Sequence, residues 1–285
     1  MQQARIVRTR TELQDAVAAE RKKGRQIGFV PTMGALHDGH ISLVRKAGEK
    51  CDFVVVSIFV NPTQFAPGED LDRYPRDEAG DVARLGEAGC DLVYCPSVEE
   101  MYPAGSLTNV RVEEMSDLLD GIHRPHFFYG VATVVARLFI HVKPDTAVFG
   151  EKDYQQLQII RRMVRDLGFG IEIIGGRTWR DADGLAQSSR NAYLSEEERA
   201  RASAISSALH RAACRIRIGA PVEEVVTEAR GLILAAGFAK LDYVSAVDPE
   251  DLQDLPDGPL REGQACRLLA AAWMGSTRLI DNIGV

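Results

Sequence analysis

Two histidines, His37 and His40, stand three residues apart in the run Pro31-Thr32-Met33-Gly34-Ala35-Leu36-His37-Asp38-Gly39-His40. The run follows Ile27–Val30, which reads as a buried strand, and leads into Gly39–Ala47, which reads as a helix. At that spacing both imidazoles project from one face of the helix's first turn. The backbone N–H groups of a first turn have no partner inside the helix, so imidazoles and amides together form donors for phosphate oxygens. Gly34 and Gly39 let the backbone come close to such a ligand. A bound triphosphate would favour a charged His40, able to protonate or stabilise a departing pyrophosphate. Capping or partly buried histidines share this spacing; the strand-to-helix setting with two glycines is what points to phosphate. Zinc is disfavoured, because helical zinc pairs usually add a third ligand and a glutamate base. The chain has no G-x-x-x-x-G-K-[ST] loop and no G-x-G-x-x-G after the first strand, which argues against a P-loop NTPase and a dinucleotide-binding dehydrogenase.

Three further clusters carry suitable groups. Phe149-Gly150-Glu151-Lys152-Asp153-Tyr154-Gln155-Gln156 again joins a strand end to a helix. Lys152 supplies a point charge for phosphate, and Gln156, three residues past Asp153, can face the same cleft; alone, the cluster reads equally as a charged helix cap. Gly184-Leu185-Ala186-Gln187-Ser188-Ser189-Arg190-Asn191 offers hydroxyls and a guanidinium on a segment able to close over a nucleotide, although by itself it also reads as a solvated loop. Val60-Asn61-Pro62-Thr63-Gln64-Phe65 offers two side-chain amides, suited to a small substrate with hydroxyl and carboxylate groups. By itself that stretch is an Asn-Pro turn.

Elements of a particular kind must position these clusters. Ile27–Val30, Phe53–Phe59, Asp91–Tyr94, Thr146–Phe149 and Ile171–Ile174 are continuous apolar runs, separated by helical patterns at Gly39–Ala47, Asp77–Ala88, Val131–Val142 and Tyr154–Leu167. Strands apolar throughout and alternating with helices predict a parallel sheet covered on both faces, an α/β, Rossmann-like, doubly wound fold. After about Arg180 the pattern changes to two helices, Ser195–Ile218 and Val222–Ala236, and then strands at Leu241–Val247, Arg267–Trp273 and Thr277–Asp281. This predicts domains at 1–180 and 181–285, the second a smaller α+β domain acting as a lid, with Asp181–Arg190 between them. A chain of 285 residues, 45% hydrophobic, is long enough to bury such cores. A net charge of −7 argues against a nucleic-acid-coating surface, though a pocket for an anion needs only local positive charge. Five scattered cysteines fit reduced thiols, Met1–Arg10 is too polar for a secretion signal, and no apolar run reaches membrane-spanning length. The expectation is a cytoplasmic protein with no membrane or nucleic-acid partner.

Taken in order, the clusters resemble the pantothenate synthetase (pantoate–β-alanine ligase) family of the nucleotidylyltransferase superfamily. The matching runs are Pro31–His40, Phe59–Phe65, Tyr74–Arg76, Phe149–Asp153 and Ser188–Leu194. The resemblance implies that pantoate attacks ATP to give pantoyl adenylate and pyrophosphate, and that β-alanine then displaces AMP to give pantothenate. It implies Mg²⁺ and a homodimer. It places Met33, Gly34, His37 and His40 on ATP, with His40 and His37 among the catalytic groups. Gly150, Lys152 and Asp153 would also bind ATP, with Lys152 catalytic near the phosphates and Asp153 near the ribose. Trp179 would offer backbone contacts to adenine, and Ser188, Ser189 and Arg190 would close over the phosphates. Gln64, Gln156 and Asn61 would hold pantoate, Gln64 also receiving β-alanine, and Asp81 is a candidate for the magnesium environment. Three positions depart from the family pattern: His126 lies one place early, Gln187 stands where methionine is common, and Trp179 replaces a smaller aliphatic. The last two imply an altered affinity for ATP. A nucleotidylyltransferase that leaves AMP on its product, and a nucleotide sensor without turnover, are the rival readings.

Overall fold

The computed structural model describes residues 4–285. The reading of a polar chain start over Met1–Arg10 falls in part on Met1–Gln3, which lie outside the described residues. Contacts divide the chain into two compact units. The first runs to Asp117 and takes up Arg124–Glu151 and Gln156–Arg177; the second holds Leu118–His123, Lys152–Gln155 and Thr178–Val285. A single cut near residue 180 therefore leaves two short pieces of the second unit on its N-terminal side.

In chain order the elements are β1 (Arg5–Val7), α1 (Arg10–Arg21), β2 (Ile27–Thr32), α2 (Asp38–Gly48), β3 (Phe53–Ile58), α3 (Glu78–Glu87), β4 (Leu92–Tyr94) and the single turn α4 (Val98–Met101). Then come the single turn α5 (Asp120–His123), α6 (Phe127–Val142), β5 (Thr146–Gly150), α7 (Tyr154–Leu167) and β6 (Glu172–Gly176). The sequence pattern did not single out β1 and α1. The helix α1 starts in a capping box, with Thr9 and Glu12 exchanging side-chain and backbone bonds.

The six strands of the first unit lie in the order β1-β4-β3-β2-β5-β6, every adjacent pair parallel. This is the doubly wound fold. From β2 the chain builds outward to β3 and β4 on one side and then to β5 and β6 on the other. The order reverses between β2 and β5, and in such sheets ligands bind beyond the carboxyl ends of the strands at that point. The apolar runs are continuous because both faces are covered. On one face Val30, Val54, Val56, Val93 and Val148 pack against Ile41, Val44 and Ala47 of α2 and Val82 and Leu85 of α3. On the other, Phe139 of α6 meets Phe29 and Phe149 edge-on, with centroids 6.3 and 6.2 Å apart. Each fully buried large side chain of this kind contributes about 1.5–3 kcal/mol.

The second unit contains α8 (Glu196–Ala202), α9 (Ala204–Arg217), α10 (Val222–Ala235) and the antiparallel strands β7 (Lys240–Val247), β8 (Arg267–Met274) and β9 (Thr277–Gly284). Leu209, Ala212 and Ile216 of α9, with Val225, Ala229 and Ile233 of α10, share one core with Val244, Leu268 and Ala270 of the sheet. The single helix expected over Ser195–Ile218 is two helices joined at Ser203 (φ −65°, ψ −12°). Serine competes for backbone partners with its own hydroxyl, so a break there is inexpensive, and apolar periodicity alone does not register it. Both early segments are tied into this unit. Arg278 donates to Asp120 at 2.6 Å and to Asp242 at 2.8 Å, and Tyr243 donates to Asp120 at 3.0 Å. The Gln155 amide bridges the Asp120 N–H and the Leu118 carbonyl. Among the described residues, no helix is long and apolar enough to cross a membrane.

Candidate active site

The carboxyl end of β2 opens into Met33–His37, and α2 starts immediately after. Buried Thr32 donates to the Ser57 carbonyl at 2.7 Å and accepts from the Gly34 N–H at 3.3 Å, which fixes the exit of the strand. Gly34 has φ +82°, and a Cβ there would lie 3.0 Å from Asp81 Oδ2, so both the backbone and the space require glycine. Ala35 follows with φ +51°, a conformation a non-glycine residue holds only when its surroundings enforce it. The enforcement comes from α3. Asp81 accepts the Ala35 and Leu36 N–H groups, each at 2.8 Å, and Arg84 donates to the Leu36 carbonyl at 2.8 Å. Burial pushes the Asp81 carboxyl up from its ordinary range, and the two amide bonds oppose that only in part.

His37 is the N-cap of α2 and His40 its third residue, with ring centroids 4.0 Å apart. The His37 N–H donates to His40 Nδ1 at 3.3 Å. A backbone N–H only donates, so that ring nitrogen is the acceptor and the neutral His40 carries its proton on Nε2. Asp38, also in the first turn, is paired with Arg84 at 2.8 Å.

Asn61 and Gln64 lie past the end of β3, on the short helical turn Pro62–Gln64, and both are buried. Asn61 Nδ2 donates to Gln64 Oε1 at 3.1 Å and to the Gly130 carbonyl at 3.2 Å, while Gln64 Nε2 points to Met33 Sδ at 3.1 Å. Met33, Asn61 and Gln64 are thus one connected group. Gly150 ends β5 in the same unit, and Gln156 lies on α7.

The remaining expected residues belong to the second unit. Lys152 is largely buried, 3.7 Å from Asp153. Its backbone carbonyl accepts from Asn282 Nδ2 at 2.7 Å, and Asn282 Oδ1 in turn accepts from Arg267 Nε at 2.9 Å. The half-exposed Trp179 offers its carbonyl to the Gln187 N–H at 2.9 Å, and the Gln187 side chain donates to Asp181 at 2.9 Å. Ser188 caps the short turn Ser189–Tyr193, accepting from the Arg190 N–H at 3.3 Å. His126, in the first unit, is the N-cap of α6.

Asp81, expected near magnesium, is 5% exposed, and each of its oxygens accepts a loop amide, so it anchors the loop. Among the described residues, no group of three or more His, Cys, Asp or Glu side chains is placed to hold a metal ion. Sequence reasoning missed Arg84, Tyr102, Gly130 and Asn282. Only the Asp81–Arg84 spacing, one helical turn, was visible as a signal.

The sequence profile of the family described as Pantoate-beta-alanine ligase matches residues 5–284. The chain belongs to the pantoate–β-alanine ligase family. It is 68% identical to the pantothenate synthetase of Hyphomonas neptunium, over 98% of this chain and 96% of that one. Two solved structures are similar over nearly their whole lengths. Pantothenate synthetase from Thermus thermophilus has a TM-score of 0.91 at 48% identity, covering 98% of each chain. Pantoate–β-alanine ligase from Francisella tularensis, complexed with β,γ-ATP and β-alanine, has a TM-score of 0.80 at 35% identity, covering 98% of this chain and 97% of that one. As a ligase of this family the protein takes ATP as a substrate.

Proposed function

We propose that the protein condenses pantoate with β-alanine through a pantoyl-adenylate intermediate, using the residues grouped at the ends of β2, β3 and β5. A pantoate carboxylate oxygen attacks the α-phosphorus of ATP, the bond to the β-phosphate breaks, and pyrophosphate leaves. The β-alanine amine then attacks the acyl carbon, loses a proton, and AMP leaves. The observation that supports this reading is the loop before α2, pinned by Asp81, with His37 and His40 in the first turn of the helix that follows β2. Donors fixed before the reaction stabilise charge on a departing pyrophosphate without reorganising during the step.

His37 and His40 would bind the phosphates, with Met33, Gly34 and Gly150 as backbone neighbours of the nucleotide. Asn61, Gln64 and Gln156 would hold pantoate, and Gln64 would then meet β-alanine. Lys152 would place its charge near the phosphates and Asp153 its carboxylate near the ribose. The Trp179 backbone would contact adenine. Ser188, Ser189 and Arg190 would close over the phosphates, the second unit serving as a lid that keeps water from the acyl phosphate. The residues described do not make a cage for magnesium, so no step here is routed through the metal. A homodimer in the cytoplasm completes the proposal.

The test is an incubation with ATP, Mg²⁺, pantoate and β-alanine in which AMP and pyrophosphate are followed separately. Equal amounts of both, each requiring pantoate, with AMP also requiring β-alanine, are expected. Pyrophosphate without AMP in the presence of another acceptor would assign a nucleotidylyltransferase, and binding without turnover would assign a sensor.

A further inference from the structure

The turn after β3 contains a chain of hydrogen bonds whose direction is fixed by backbone atoms. Asn61 Oδ1 faces the Thr63 N–H at 3.3 Å, and a backbone N–H can only donate. Asn61 Nδ2 faces the Gly130 carbonyl at 3.2 Å, and a carbonyl can only accept. The amide of Asn61 therefore has one orientation. Its Nδ2 is turned to Gln64 at 3.1 Å, where it must meet an acceptor, so Gln64 places Oε1 inward and Nε2 outward. The outward group rests against Met33 Sδ, a weak acceptor readily exchanged for a substrate oxygen.

The starting point of the chain is Tyr102. Its hydroxyl donates to Asn61 Oδ1 at 2.8 Å, the shortest of the three bonds to that atom, beside Thr63 Oγ1 at 3.0 Å. The ring is held by Phe59 at the end of β3, with centroids 6.2 Å apart, and by the Arg137 guanidinium 5.0 Å from its centroid. Arg137 also donates to the Met101 carbonyl at 3.0 Å, fixing the turn that presents the tyrosine. Burial pushes the phenol up from its ordinary value, so it keeps the proton it donates.

We propose that Tyr102 is a positioning residue: its hydroxyl secures the Asn61 side chain, whose orientation the backbone sets, and Asn61 in turn holds the Gln64 amide with the N–H₂ and not the oxygen toward the substrate, selecting an acceptor such as a carboxylate oxygen. This rests on the reading above that Gln64 contacts pantoate. Steady-state kinetics of the full-length enzyme with Tyr102→Phe, Gln64→Ala and Gln64→Glu, with Tm recorded for each, tests it. Tyr102→Phe removes one neutral hydrogen bond, so the KM for pantoate is expected to rise about 3- to 10-fold, with the KM for ATP unmoved and Tm lowered only slightly. Gln64→Glu keeps an oxygen for Asn61 but turns an anion toward the substrate, so it is expected to be more damaging than Gln64→Ala. If Gln64→Ala leaves the KM for pantoate unchanged, the reading of the site itself falls. If Gln64→Ala raises it but Tyr102→Phe does not, the relay falls while the site stands. A Tyr102→Phe enzyme with lowered Tm and both KM values raised alike has lost structure only, and a Gln64→Glu milder than Gln64→Ala reverses the assigned polarity; either outcome overturns the proposal.

Discussion

The tautomer of a neutral His40 is set by a local arrangement: its Nδ1 receives the N–H of His37, the N-cap of its own helix, three residues back. The imidazole therefore presents Nε2–H with no choice of tautomer. A histidine at a helix N-terminus resists becoming a cation, and a bound triphosphate removes that resistance. His40→Ala is accordingly expected to slow adenylate formation by roughly 10²–10⁴-fold, measured in a single turnover with ATP and pantoate. A near-normal single-turnover rate would assign His40 to binding alone. Asp81 shows a role that residue type does not suggest: its two oxygens each accept a loop amide. Asp81→Ala strands both N–H groups, and a loss of about 1–3 kcal/mol of stability is expected in urea unfolding, with a raised KM for ATP. Asp81→Asn is expected to be no better, because its NH₂ would face one of the two donors.

At the scale of elements, the close approach of α6 to the turn after β3 depends on Gly130. A Cβ there would lie 2.5 Å from the Thr63 carbonyl oxygen and 2.7 Å from the Gln64 nitrogen, both backbone atoms that cannot move aside cheaply. Gly130→Ala is therefore expected to cost about 1–3 kcal/mol and to displace Gln64. Its signature is a lowered Tm together with a raised KM for pantoate; a fall in Tm alone would separate the packing of α6 from the site. Helix α3 does comparable work from the other side of β3. Asp81 and Arg84 hold consecutive amides and a carbonyl of the same loop, so this helix sets the loop's conformation without contributing a reacting group.

Across the whole molecule, buried polar groups tie stability to pH. His141 on α6 is enclosed in the first unit, hydrogen-bonded to the Tyr94 hydroxyl at 3.2 Å, and burial pushes its pKa down to about 4. The unfolded chain takes up that proton near pH 6.5, while the folded chain does not until about pH 4. Folding is therefore unaffected by this group above pH 6.5, and stability falls as the pH drops from 6.5 toward 4, by about 3 kcal/mol in all. Urea midpoints of the wild type and His141→Gln at about pH 7 and about pH 4.5 check this: the wild type is expected to lose more. Equal losses would place the acid sensitivity in other groups.

The sequence by itself determined the parallel α/β sheet, because strands buried on both faces must be apolar throughout, and Ile27–Val30 and Phe53–Phe59 carry that pattern in unbroken runs. It also determined the family, because the family's short motifs keep their residues at fixed local spacing, as in His37 and His40. Helix α7 was legible to its ends, whereas the break at Ser203 was not, since periodicity averages over several residues. Tertiary structure alone decided what Asp81, Tyr102, Gly130 and Asn282 do. Each acts through a partner distant in sequence: Asp81 on Ala35 and Leu36, Tyr102 on Asn61, Gly130 on Thr63, Asn282 on the carbonyl of Lys152. Spacing along the chain carries no information about such contacts. They exist only once the sheet order and the second unit's early segments have brought those residues within bonding distance.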